Sequence, residues 1–156
     1  IRRKPAALFA AACHGAALLH NTSTAKADAL HDYGMHLGIA FQLADDLLDY
    51  AGDPSETGKN VGDDLAEGKI TLPLLHAMKV GDERDQRLVA DTLRNKDGSA
   101  FADIMAVVQR TGGIKATREA ALQHQNQAMA ALETLGQNEA TVALSEMAAR
   151  AVDRRG

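Results

Sequence analysis

Apolar residues recur along this chain at three- and four-residue steps, and no run alternates long enough to read as a strand. The clearest stripe is Leu30, Tyr33, Leu37, Phe41, Ala44 and Leu48, which would line one buried face of a long helix. The pattern predicts helices over about 5–19 and about 24–50, the second capped by Thr24. Pro5 suits a first helical turn, and Gly52-Asp53-Pro54 stops the second helix ahead of a loop reaching Gly62. A short turn from Asp63 to Glu67 follows. Thr71, Asp82 and Ser99 then cap three further helices, the last ending at Gly112-Gly113. A helix over about 114–135 stops at Gly136, and Asn138 caps a final one reaching about Asp153. The expected fold is all-α, with antiparallel helices joined by short loops and no repeat or linker dividing the chain.

Composition agrees with that pattern and narrows the chemistry. Of 156 residues, 46% are hydrophobic but only 3% aromatic, so an Ala- and Leu-rich core built from helices is favoured over strands. A net charge of −4 argues against general nucleic-acid binding; phosphate chemistry here would need local lysines, arginines or a metal ion. Cys13 is the only cysteine, which excludes an internal disulfide and suits a reducing cytoplasm. No stretch reaches the roughly 20 apolar residues of a membrane-spanning helix. The six histidines lack zinc-ligand spacing, and Met35, Met78, Met105, Met129 and Met147 read as core fillers. Arg118 and Glu119 read as solvated helix surface. Ile1, with basic neighbours and no capping segment before it, reads as an interior point of a longer protein.

One turn has chemistry that the helix itself does not need. Asp45, Asp46 and Asp49 occupy neighbouring positions on one helix face, and Gln42 falls on the same stripe. Exposed like charges at this spacing repel by about 0.2–0.5 kcal/mol per pair. The last turns of a helix also disfavour negative charge. A hard divalent cation reverses that balance, because Mg²⁺ takes carboxylate oxygens and fills its remaining positions with water or phosphate. An isolated D-D-x-x-D is more often a solvated acidic face. Here it is followed by Gly58-Lys59, Asp63-Asp64 and Glu67-Gly68-Lys69, which set two lysines on glycine-flanked segments a short reach away. The run from Gly52 to Lys59 is not a P-loop: it follows a helix, and Asn60 stands where Ser or Thr is required.

This ordered set resembles the polyprenyl synthase family, the head-to-tail trans-isoprenyl diphosphate synthases. Within that family the stretch from Asp32 to Met78 and the ending at Arg154-Arg155 look most like bacterial octaprenyl diphosphate synthases. The resemblance covers nearly the whole chain and implies the C-terminal portion of an isoprenoid-synthase helical bundle. It implies that Asp45, Asp46 and Asp49 form the second aspartate-rich motif, with Asp45 the most direct Mg²⁺ ligand. Lys59 would hold the allylic diphosphate, Lys69 would add charge beside it, and Gln42 would line the reaction centre. Lys4 matches the lysine of a Lys-Thr motif, but Pro5 replaces the threonine and its hydroxyl contact is lost. Ile70 also replaces a proline frequent in close relatives. Arg154 and Arg155 fit either a cover over the isopentenyl diphosphate site or a solvated tail.

The implied activity is elongation of an allylic prenyl diphosphate by isopentenyl diphosphate, in a cytoplasmic homodimer, with a long-chain product destined for a quinone side chain. The family's first aspartate-rich motif is not in this sequence, so the chain alone is expected to be inactive. A non-catalytic partner subunit and a terpene cyclase of the same fold are the rival readings. The intact Asp45, Asp46, Asp49, Lys59 and Lys69 speak against the first, and the Gly-Lys and Glu-Gly-Lys pattern against the second.

Overall fold

A computed structural model describes residues 5–51, 62–95 and 98–153. Every regular element among them is helical: α1 (Ala6–Leu19), α2 (Thr24–Ala51), α3 (Asp63–Ala66), α4 (Leu72–Val80), α5 (Glu83–Asn95), α6 (Phe101–Thr111), α7 (Gly113–Leu132) and α8 (Glu139–Val152). Short 3₁₀ turns, Gly98–Ala100 and Glu133–Leu135, precede α6 and follow α7. The chain divides into two compact units. One comprises residues 1–44 and 120–155, the other residues 45–119.

Local chemistry sets most of the boundaries. Asp82 accepts from the Asp85 N–H at 2.9 Å while Asp85 accepts from the Asp82 N–H at 3.2 Å, a reciprocal cap opening α5. Asn138 and Thr141 do the same for α8, each at 3.0 Å. Three expected caps differ. Thr24 is already helical, one residue inside the boundary, and the Ser23 carbonyl accepts from the Ala27 N–H. Ser99 lies within the 3₁₀ turn, so Ala100 occupies the N-cap of α6. Thr71 stands at the N-cap of α4, yet its side chain makes no capping bond.

In the first unit, Tyr33, Leu37, Ala128, Leu132, Ala148 and Ala151 form the core, with Phe9 and Phe41 packed against it. Tyr33 is wholly buried and donates its hydroxyl to the Leu144 carbonyl at 2.8 Å. Burial pushes that phenol up to about 12, so it remains a donor at all ordinary pH. Burial likewise raises the Cys13 thiol, which packs against this core. Glycines let α1 and α2 approach closely. A Cβ at Gly34 would lie 2.5 Å from the Phe9 carbonyl oxygen, and one at Gly38 would lie 2.6 Å from the Ala6 Cα. Met129 packs on this core as expected, but Met147 is 54% exposed and fills none.

In the second unit, Tyr50, Leu65, Leu74, Ala77, Val89, Ile104, Val107 and Val108 make the core, flanked by Met78 and Met105. Asp85 is buried on α5 and is held by Arg110 of α6 at 2.6 Å. That guanidinium lowers the Asp85 carboxyl below the usual range, with the Asp82 N–H adding to the effect.

Two outcomes check this packing. Gly34→Ala should destabilise the chain by about 1–3 kcal/mol, because rigid backbone blocks the added methyl and outweighs the helix propensity gained. An unchanged urea midpoint would refute the close approach. Asp85→Asn should weaken the chain at neutral pH. Since the folded pKa lies below the unfolded value near 4, the ion pair's contribution is present above that pH and fades as acid protonates Asp85. The gap between variant and wild type should therefore narrow below about pH 4; a gap that persists there would show the loss is not electrostatic.

Candidate functional site

Helix α2 ends in Asp45-Asp46-Leu47-Leu48-Asp49-Tyr50, and the carboxylates there have different surroundings. Asp45 is partly exposed, whereas Asp46 and Asp49 are 4% and 6% exposed. Charges that deep are stable only with polar partners. Asp49 Oδ1 accepts from the Asp64 N–H at 3.3 Å, and the Asp49 carbonyl accepts from the Gly62 N–H at 3.1 Å. Asp49 thereby ties the end of α2 to the start of α3. Gly62 can make this turn because its φ of +94° lies in the left-handed region that glycine occupies without steric penalty.

Lys69 lies just beyond α3. Gly68, at φ +74°, reverses the chain, and the Lys69 N–H returns to the Asp64 carbonyl at 2.8 Å. The Lys69 ammonium then meets Asp64 Oδ1 at 2.7 Å and Glu67 Oε2 at 2.8 Å. The bond to Asp64 raises its pKa most, followed by the bond to Glu67, so it is cationic throughout the ordinary range. The lysine side chain stays 56% exposed and Glu67 63%, which leaves the ammonium accessible to solvent.

Behind these charges, the Tyr50 and Thr71 hydroxyls share a hydrogen bond of 2.7 Å. This is where the Thr71 hydroxyl goes in place of a cap. Burial raises the Tyr50 phenol most, and the charges of Asp49, Asp64 and Asp46 add to it, against the lowering effect of the Thr71 bond. The phenol is therefore a neutral strut among carboxylates rather than an acid.

Of the residues singled out in the sequence, Asp49 and Lys69 are linked through Asp64. Asp45, Asp46, Asp49 and Lys69 all belong to the second unit. Gln42, partly buried on α2, belongs to the first. Lys4, Lys59, Arg154 and Arg155 lie outside the described residues. Sequence reasoning did not assign roles to Asp64 and Glu67 as partners of Lys69, although the glycine turn at Gly68 signals that a reversal brings them close. Nothing local announces the Tyr50–Thr71 bond, which joins residues 21 apart.

Among the described residues, no three His, Cys, Asp or Glu side chains form a group able to hold a metal ion alone. The donors at the end of α2 are hard carboxylate oxygens. They suit Mg²⁺, which needs one or two carboxylates and takes its other ligands from water and phosphate, and do not suit a soft ion in an all-protein cage.

A family model described as polyprenyl synthetase matches residues 1–111. The octaprenyl diphosphate synthase of Haemophilus influenzae is 39% identical over 155 residues, spanning 99% of this chain and 47% of its own length. A polyprenyl synthase from Caulobacter crescentus, solved with calcium and isoprenyl diphosphate, is 40% identical and superposes with a TM-score of 0.86 over 96% of this chain and 46% of that one. A decaprenyl diphosphate synthase from Rhodobacter capsulatus is 34% identical, with a TM-score of 0.88 over 100% of this chain and 48% of its own. The chain spans about half the length of the curated relatives it matches. No helix among the described residues is long and apolar enough to cross a membrane.

The hydroxyl pair under the acidic turn gives a test. Tyr50→Phe or Thr71→Val alone should each cost about 1–3 kcal/mol by leaving one buried hydroxyl unsatisfied. The double variant should cost less than the sum, as read by urea unfolding of all four proteins. Strict additivity would show that the two groups do not depend on each other.

Proposed function

The chain belongs to the polyprenyl synthetase family, and we propose that it is the C-terminal portion of a prenyltransferase that extends an allylic diphosphate with isopentenyl diphosphate. The observation that carries this reading lies in the second unit. There a partly exposed Asp45 adjoins two buried carboxylates, and the Glu67-Gly68-Lys69 turn presents an accessible ammonium nearby in sequence. The Caulobacter relative, solved with a divalent cation and an isoprenyl diphosphate, supports the same pairing of ligands.

In this reading Asp45, Asp46 and Asp49 hold Mg²⁺, which when bound supplies positive charge to the departing diphosphate. Lys69 exchanges Glu67 for a phosphate oxygen and remains oriented by Asp64. Lys59 and Lys4 grip the same diphosphate, Gln42 lines the reaction centre, and Arg154 and Arg155 close over isopentenyl diphosphate. The allylic C–O bond ionises, the isopentenyl double bond attacks the allylic carbon, and loss of a proton completes one isoprene addition. Diphosphate is the leaving group. Helices with an apolar interior keep water from the allylic cation.

The relatives make octaprenyl and decaprenyl diphosphates by their names, which favours a long-chain product suited to a quinone side chain. The working form in this reading is a cytoplasmic homodimer of the completed synthase, and the 156-residue chain alone transfers no prenyl group. In the completed synthase, Asp45→Ala should lower kcat by about 10²–10³-fold and shift the Mg²⁺ dependence, while Lys69→Ala should mainly raise KM for the allylic substrate. Radiolabelled isopentenyl diphosphate incorporation across a Mg²⁺ titration measures both. Near-normal turnover of the Asp45 variant would remove the metal-ligand assignment.

A further inference from the structure

Two histidines 88 residues apart in the chain meet within the first unit. His36 of α2 and His124 of α7 place their Nδ1 atoms 2.9 Å apart, with ring centroids 5.1 Å apart and planes inclined by 27°. Both residues are half-buried, so the paired nitrogens are within reach of solvent. Their separation in sequence hides the pair from any reading of ligand spacing along the chain.

A hydrogen bond between two imidazoles needs one ring to donate and the other to accept, so the accepting ring is neutral. A cation can take the place of the proton that lies between them. When both rings are neutral, the donor carries its proton on Nε2 instead, and the two Nδ1 lone pairs serve the ion without any proton leaving the pair. The spacing then selects the ion. Imidazole nitrogens sit about 2.0–2.1 Å from a divalent first-row metal, so two of them 2.9 Å apart subtend about 90°. That is the cis angle of an octahedral or square-planar shell, as Ni²⁺ and Cu²⁺ adopt, and it is narrower than the tetrahedral angle of Zn²⁺.

We propose that His36 and His124 form a cation site for a nitrogen-seeking divalent ion of the nickel or copper class, bound through both Nδ1 atoms. Among the described residues the two belong to no group of three His, Cys, Asp or Glu ligands, so water completes the shell. The ion clips α2 to α7, which already share the core of Tyr33, Leu37, Ala128 and Leu132. Nitrogen ligands here and carboxylate oxygens at the end of α2 select different ions, since Mg²⁺ prefers oxygen. The site stands apart from the proposed function and does not depend on it. The other histidine contact supplies a control: His14 and His31 meet edge to face at 82°, and His31 Nδ1 faces Asp32 at 3.1 Å.

The test titrates the 156-residue chain, free of any affinity tag, with Ni²⁺ by calorimetry. One saturable site should appear, and at about ten times Kd the melting temperature should rise by about 3–6 °C. Mg²⁺ at the same concentration should produce no such rise. His36→Gln and His124→Gln keep a hydrogen-bonding group but remove a ring nitrogen, and each should weaken Ni²⁺ binding at least tenfold. His31→Ala should bind as wild type. Absence of saturable Ni²⁺ binding, retained affinity in either glutamine variant, loss of affinity in His31→Ala, or an equal rise with Mg²⁺ would overturn the proposal. Circular dichroism checks that the metal-free variants fold. Where one does not, paramagnetic broadening by Ni²⁺ in the wild-type chain decides: the His36 and His124 ring protons should broaden first, and broadening confined to other histidines would sink the assignment.

Discussion

Negative charge held at the wrong end of a helix is the constraint on which the rest of the site depends. The carbonyl end of α2 already bears partial negative charge, and Asp46 and Asp49 are both buried there. Taking an ion out of water costs several kcal/mol unless hydrogen bonds and opposite charges compensate. Part of that compensation comes from the chain itself. The Asp64 N–H turns toward Asp49, which requires the chain to reverse at Gly62 and start α3 at that point. The path of the backbone after α2 is thus linked to the placement of one carboxylate.

From Asp49 the electrostatics continue outward in a definite order. Asp64 gives its N–H to Asp49 and its carboxylate to Lys69, so one residue links a buried anion to an accessible cation. Glu67 balances Lys69 from the solvent side. The Asp85–Arg110 pair in the same unit has similar geometry but a different consequence. Its carboxylate is buried and doubly engaged, by the Arg110 guanidinium and the Asp82 N–H, so it fastens α5 to α6. Lys69 differs because its own side chain is more than half exposed and one partner, Glu67, lies at an exposed glycine turn, while Asp64 is held in α3. Similar ion pairs thus differ in setting: one ties two helices through a buried carboxylate, and the other leaves an ammonium open to solvent.

What the sequence disclosed follows the range of the forces involved. The all-α class and most boundaries are local properties, written in three- and four-residue periodicity and in side chains that reach their own helix end. Asp82 and Asn138 cap as read because their bonding partners lie three residues away. Thr71 does not, because the buried hydroxyl of Tyr50, 21 residues distant, competes for it. Ser99 fails as a cap because a 3₁₀ turn intervenes before α6. Met147 has helical spacing but faces outward, since periodicity locates a face without saying what covers it. The placement of Asp45, Asp46 and Asp49 at the end of α2 was legible from spacing; their unequal burial was not, because it depends on tertiary contacts such as the Asp64 N–H that reaches Asp49 from α3.

The glycines carry the same lesson a step further. Gly34 and Gly38 look like helix-weakening residues in the sequence, and the structure gives them a reason: α1 lies so close that a methyl would strike backbone. Gly15 carries the same sequence signal without that reason, in open space on a face of alanine and leucine. A stable helix has no cause to keep both an apolar exterior and an unneeded glycine, since one exposes hydrocarbon to water and the other gives up helix propensity. Among the described residues nothing offsets either cost, so what a helical glycine means is set by its neighbours and not by its place in the sequence.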